Sequence, residues 1–295
     1  MKTVLEFCQM VNLKKEIAEE IDLLEKKVSA LLGDKLLLLA KETLKDGITE
    51  GEYQQLLKSA QEYGKEINEH PFRMQMIFAY YIFALLEDKY RKAGIPQKIY
   101  EQTMQDFRYR VLECQDVYQM TGIFVAWWYR IFCNLSLHHL DILEFEKTVA
   151  NFSYSAKGVT VEKGDPILAI HIPPNTPFTR ATITKALQES YKYYGLQGRV
   201  AYQCESWLLY PDFENIFVAG GNIQKFRSFF QILKSKDNET FEDCWRMFMV
   251  GEIESLDDLP TDTRLQRNML AHLKNGGKTG EGFGVLVFDG ENIVD

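Results

Sequence analysis

The chain has 295 residues, 46% of them hydrophobic and 13% aromatic, enough for two packed domains on the usual scale of roughly 100–200 residues per domain. Its 34 basic and 42 acidic side chains leave a formal charge of −8, which opposes the phosphate neutralisation that drives nucleic-acid binding, so no nucleic-acid partner is expected. The apolar runs fall short of the roughly 18 residues that a membrane span needs, and Met1 to Glu6 lack the features of a signal peptide.

A cytoplasmic protein without a membrane partner follows as the expectation. The five cysteines Cys8, Cys114, Cys133, Cys204 and Cys244 are scattered, with no CxxC pair and no ligand spacing, so neither disulfides nor a metal is expected.

Up to about residue 138 the pattern is that of packed amphipathic helices. Leu13, Ile17, Ile21, Leu24, Val28, Leu31 and Leu32 form the first series, and Gly33-Asp34 interrupts it before Leu36 to Leu44. Further helices are predicted over 50–67, over the heavily apolar 74–86 after His70-Pro71, over 97–120, and over the aromatic-rich 123–137.

From residue 139 the pattern changes to strands alternating with helices. Strands are predicted over 140–149, 151–156, 167–172, 199–209 and 283–288, with helices over 179–194 and 223–233, the second opened by Asn222. The fold class is therefore α/β (α+β), a helical bundle over 1–138 followed by a mixed sheet with flanking helices over 139–295.

The segment from Ile167 to Tyr210 carries the most information. Ile167 to Ile172 is apolar without alternation except at His171, as a strand covered on both faces requires. The loop Pro173-Pro174-Asn175-Thr176-Pro177-Phe178 cannot continue that strand and delivers Thr179 as an N-cap. A helix starting beyond the carboxyl end of a buried strand presents unpaired N–H groups to an anion.

Some motifs are set aside on their spacing. The run Gly276 to Gly284 contains Gly-Lys-Thr, but His272 stands where a phosphate-binding loop needs its first glycine, so a turn before the last strand is expected. The neighbouring His138 and His139 point apart in a helix or a strand and make no ready chelate.

The order of elements resembles bacterial proteins that join an N-terminal helical N-acyltransferase domain to a GNAT-like C-terminal domain. The resemblance rests on Ile170-His171-Ile172-Pro173, Cys204-Glu205-Ser206-Trp207-Leu208-Leu209, Asp243-Cys244-Trp245-Arg246 and Leu259 to Arg267, and it covers nearly the whole chain. It implies a sheet splayed at its centre, with acetyl-CoA or another acyl-CoA lying in the wedge. Ile170 and Ile172 would then line the first wall, and Asn175, Thr176, Thr179 and Arg180 would meet the pyrophosphate.

Acyl transfer from a thioester to an amine needs a base, an oxyanion donor and an acid for the departing thiolate. His171 and Glu205 are the candidate bases, and Ser206 and Tyr210 the candidate donors to oxygen or sulfur. Each also has a structural reading: a hydrogen-bonded core histidine, a cross-strand polar contact, a structural hydroxyl.

The expected activity is transfer of an acetyl or other acyl group to an unidentified small-molecule or peptide amine, with a homodimer possible through the bundle. The phosphate loop has three prolines and no glycine, which keeps open a second reading as a non-catalytic GNAT-like ligand-binding or regulatory protein.

Overall fold

A computed structural model describes residues 1–238 and 244–295, so Asp243 of the Asp243 to Arg246 signature lies outside the described residues. The chain divides into two compact units, residues 1–138 and 139–295. No helix among the described residues is long and apolar enough to cross a membrane.

The first unit contains α1 (Val4–Met10), α2 (Lys15–Leu32), α3 (Lys35–Thr43), α4 (Glu50–Glu66), α5 (Pro71–Lys92), α6 (Gln97–Thr103), α7 (Gln105–Tyr118) and the single turn α8 (Arg130–Cys133). Capping boxes start α1 at Thr3 with Glu6 and α4 at Thr49 with Glu52, while His70 caps α5 and Pro71 takes its first position. Every residue of α5 from Met74 to Ala84 is buried, because α2, α3, α4, α6 and α7 surround it.

The expected helix over 97–120 is instead two helices meeting at Met104. The Thr103 hydroxyl donates to the Ile99 carbonyl at 2.7 Å, a local bond that competes with the helix ladder at the junction. The expected helix over 123–137 is reduced to a 3₁₀ turn, Ala126–Tyr129, and α8. Its aromatics pack on more than one side: Tyr129 and Phe132 both meet Phe83, and Trp128 meets Phe132.

The second unit is built on a six-stranded sheet in the order β1-β2-β5-β6-β8-β7. Its strands are β1 (Leu137–Leu140), β2 (Leu143–Val149), β5 (Pro166–His171), β6 (Val200–Ser206), β7 (Gln231–Asp237) and β8 (Gly280–Phe288); β3 (Tyr154–Ala156) and β4 (Val159–Val161) form a separate hairpin. The helices are α9 (Arg180–Tyr193), α10 (Asn222–Arg227), α11 (Cys244–Phe248) and α12 (Arg264–Lys274). Only the β5–β6 pair within β2-β5-β6-β8-β7 is parallel.

Residues directly opposite one another share a face of the sheet. On one face Phe145, Ile170, Tyr202 and Leu286 lie under α9, whose Ile183, Ala186, Leu187 and Ser190 are buried. The Ser190 and Tyr202 hydroxyls are 2.8 Å apart, and Phe145 packs edge-on to Tyr202. On the other face Ile167, Phe283, Val285 and Val287 form a core with Ala150, Tyr154 and Val161 of the hairpin region.

Two strand expectations and one helix expectation change in detail. The strand over 140–149 is a pair, β1 and β2, joined at Asp141, which takes a left-handed φ of 59°. The strand over 199–209 ends at Ser206, because its Oγ accepts the Leu208 N–H and starts a 3₁₀ turn. The helix over 223–233 stops at Arg227, with Gly221 rather than Asn222 at its N-cap, and Gln231–Asp237 is an edge strand. Lys234 and Lys236 on that edge discourage pairing with another chain.

Candidate functional site

β5 and β6 pair only in mid-strand, Leu168 opposite Tyr202 and Ala169 opposite Gln203. Both continue as strands beyond that point, each held by its outer neighbour: Glu144 of β2 stands opposite His171, and Gly282 of β8 opposite Ser206. The two strands are therefore joined at mid-strand and open toward the carboxyl ends, where the β5–β6 ladder spans neither Ile170-His171 nor Cys204-Glu205-Ser206. Such an opening suits an extended ligand that pairs with a strand edge.

The anion end follows directly. Thr176 Oγ1 donates to the Pro173 carbonyl at 2.6 Å, Asn175 takes a φ of 60°, and Pro173, Pro174 and Pro177 contribute no N–H. Thr179 caps α9 in a reciprocal arrangement with Thr182, and the Ile183 N–H goes to the Thr179 carbonyl. The first-turn amides of Arg180 and Ala181 have no partner within the helix, so the positive end of its dipole meets the loop. Arg180 itself reaches Asp295 at 2.9 and 3.0 Å and the Ile293 carbonyl at 3.0 Å, and its guanidinium lies over the Phe229 ring.

His171 Nε2 lies 2.8 Å from Glu146 Oε2 on the neighbouring strand. Register puts Glu144, Glu146, His171, Gln203 and Glu205 on one face of the sheet, around the opening. Glu144 is buried and Glu205 exposed, while Gln203 Oε1 is enclosed without a hydrogen-bond partner among the described residues. Ile170 is buried on the opposite face, and Ile172 begins the loop.

The two hydroxyl candidates differ. Ser206 Oγ accepts from Leu208 N–H and keeps its own hydrogen for donation. Tyr210 is buried and donates to Asp237 Oδ1 at 2.7 Å; burial, and then that carboxylate, push its ionisation upward. Acting as an acid would require the bond to Asp237 to break. Cys204 is buried and pushed up to about 12 by desolvation, so it is a thiol at neutral pH and not a nucleophile.

The structure thus brings His171 and Glu205 to the opening with Ser206 at its outer end, and ties Tyr210 to the far side of β8 through β7. Sequence reasoning missed Glu144 and Glu146. Their alternation along Leu143 to Val149 was the available signal, but which residue of β5 each one faces depends on register.

Residues 137–286 match the family described as GNAT-like C-terminal domain, and residues 2–135 match the N-acyltransferase N-terminal domain. Comparison with curated proteins found no match. Among solved structures, an acyltransferase in complex with decanoyl-CoA and teicoplanin is similar with a TM-score of 0.59 and 17% identity over 100% of both chains. An acyltransferase with CoA and 10C-teicoplanin is similar at 0.59 and 16% over 100% of both, and one with decanoyl-CoA at 0.57 and 15% over 96% of this chain and 99% of that one.

Proposed function

We propose that this chain, which belongs to the family carrying the GNAT-like C-terminal domain, is an acyl-CoA-dependent N-acyltransferase. The observation that carries the reading is the opening between β5 and β6 beyond Ala169 and Gln203, with the capped N-terminus of α9 next along the chain. The pantetheine arm pairs with the exposed strand edge, and the pyrophosphate meets the amides of Arg180 and Ala181 with Asn175, Thr176 and Thr179 around them. The reaction draws on acyl-CoA in the cytoplasm.

His171 takes the proton of the attacking amine, with Glu205 as the second candidate. A strand-edge amide beside His171 stabilises the oxyanion, and Ser206 donates toward the carbonyl oxygen or the leaving sulfur. The solved structures at TM-scores of 0.57 to 0.59 hold decanoyl-CoA, which makes a long acyl chain the first donor to test, beside acetyl-CoA. Teicoplanin in one of them supports an amine on a small molecule or peptide as acceptor.

A non-catalytic role is supported by two observations: the loop offers no glycine, and Arg180 is engaged with Asp295. Calorimetry with decanoyl-CoA, acetyl-CoA and CoA decides first, since absence of saturable binding by all three sinks the enzyme reading. Release of free thiol from decanoyl-CoA is then followed with glucosamine, a lysine-containing peptide and a deacylated glycopeptide as acceptors. Binding without any acceptor-dependent release favours the non-catalytic reading.

A further inference from the structure

We propose that Gln203 binds the acceptor: its carboxamide oxygen takes a hydrogen bond from the amine N–H that is not given up in the reaction, which makes the site selective for primary amines. The inference rests on the reading of the β5–β6 opening as the place of acyl transfer. Gln203 Oε1 is enclosed and has no hydrogen-bond partner among the described residues. A buried acceptor left unpaired is unfavourable, and an apolar side chain at this position would avoid the penalty. Its neighbours in the same row of the sheet, Ala169 on β5 and Val285 on β8, are apolar.

Position decides what the oxygen is for. Gln203 is the last residue of β6 paired with β5, so it stands at the closed end of the opening. On its face Phe283, Val285 and Val287 belong to the core with the hairpin, and Glu205 follows two residues on along β6, roughly 6.6 Å away. Ala169 lies in register between Glu146 and Gln203 and offers only a methyl group, with His171 two residues further along β5. A nitrogen held over Ala169 is in reach of Gln203 and of a base on either strand. The pantetheine arm pairs with backbone at the strand edge, in the plane of the sheet, whereas the side chains of this face stand out of that plane. The partner of Gln203 is therefore the acceptor.

A primary amine brings two N–H groups. Its nitrogen lone pair bonds to the thioester carbonyl carbon and one hydrogen passes as a proton to the base. The C–S bond breaks with its electron pair on sulfur, and the thiolate takes up a proton from the base or from solvent. The second hydrogen stays on nitrogen as the N–H of the product amide, donated to Gln203 Oε1 throughout. A secondary amine has one hydrogen, which the base must take, so it leaves the Gln203 oxygen unpaired and is rejected.

The test uses the full chain with decanoyl-CoA and each of the three acceptors above that supports thiol release, beside its N-methylated counterpart. The native protein is expected to prefer the primary amine by roughly a hundredfold or more in kcat/KM, and Gln203→Leu to reduce that preference to roughly tenfold or less. The variant is also expected to unfold in urea at the native midpoint or above it and to bind decanoyl-CoA with an unchanged Kd, while its acceptor KM rises roughly tenfold.

Equal use of primary and secondary amines by the native protein overturns the proposal without recourse to any variant. A lower urea midpoint for Gln203→Leu overturns it because the oxygen then serves the fold. Weaker decanoyl-CoA binding with an unchanged acceptor KM overturns it by assigning the N–H to the pantetheine, and an unchanged preference in the variant does so by leaving water as the partner of the oxygen. If the native protein releases no thiol with any acceptor, the acyl-transfer reading itself falls and takes this proposal with it.

Discussion

Ala169 and Gln203 form the last pair joining the two halves of the six-stranded sheet. Everything proposed for the site depends on what lies beyond it. The outer ladders, β2 with β5 and β6 with β8, continue to His171 and Ser206, so the opening sits inside a sheet that is otherwise held to its ends. A ligand edge entering there meets two strands already ordered, which limits the entropy it must give up on binding.

The Arg180 side chain tests how anions are received. Its pair with Asp295 is 49% and 75% exposed, so Arg180→Ala is expected to change stability by less than about 1 kcal/mol in urea titration. The same variant is expected to bind decanoyl-CoA a few-fold more weakly at low salt, with the difference closing at high salt. Equal affinities at low salt would leave the helix amides as the anion contacts without Arg180.

The bond between Ser190 and Tyr202 ties α9 to the sheet below the opening. Ser190 also donates to the Leu187 carbonyl at 3.2 Å, so it is not stranded when the phenol oxygen is removed. Tyr202→Phe is expected to cost about 1 kcal/mol in urea unfolding, with decanoyl-CoA affinity unchanged. A loss several times larger would mean that the hydroxyl does more than hold the helix.

Gly282 lets the chain leaving β6 lie flat against β8. A Cβ added there would fall 2.1 Å from the Leu209 carbonyl oxygen and 2.9 Å from the Leu209 Cβ, so backbone must move. Gly282→Ala is expected to destabilise by about 2 kcal/mol or more, whereas Gly51→Ala, with open space around its added Cβ, is expected to be neutral or stabilising. Equal melting temperatures for the two variants would contradict the close approach.

Stability is expected to fall as the solution becomes alkaline. Burial pushes Cys8, Cys114, Cys133 and Cys204 from the ordinary 9.0 up to about 12. Between these values the unfolded chain releases thiol protons that the folded chain retains, so unfolding is favoured as pH rises through the window. Below about pH 9 the thiols contribute no pH dependence, because they are protonated in both states. Urea midpoints at pH 8 and about pH 10.5 check the sign, and a higher midpoint at the alkaline value would refute it.

Local physics was enough for much of the opening segment. An unbroken apolar run must be covered on both faces, and Ile167 to Ile170 is; a threonine before a helical pattern caps it, and Thr179 does. Gly195 closes α9 at a φ of 62°, where a side chain would be strained. The same reasoning failed at 223–233. Phe226, Phe229 and Phe230 have helical spacing, but the chain extends from Gln231 because pairing with β8 outweighs the local preference.

The site divides along the same line. That His171 and Glu205 lie on strands is legible because their neighbours in sequence write the strands, and the proline loop with its capped helix is legible for the same reason. Glu146 was invisible, because its partnership with His171 spans 25 residues and exists only through the register of β2 against β5. Tyr210 looked available at the end of its strand until folding placed Asp237, from another strand, within bonding distance. Alternation and capping are local and survive in the order of residues; register, and the point at which two parallel strands cease to pair, are long-range balances struck only when the whole sheet assembles.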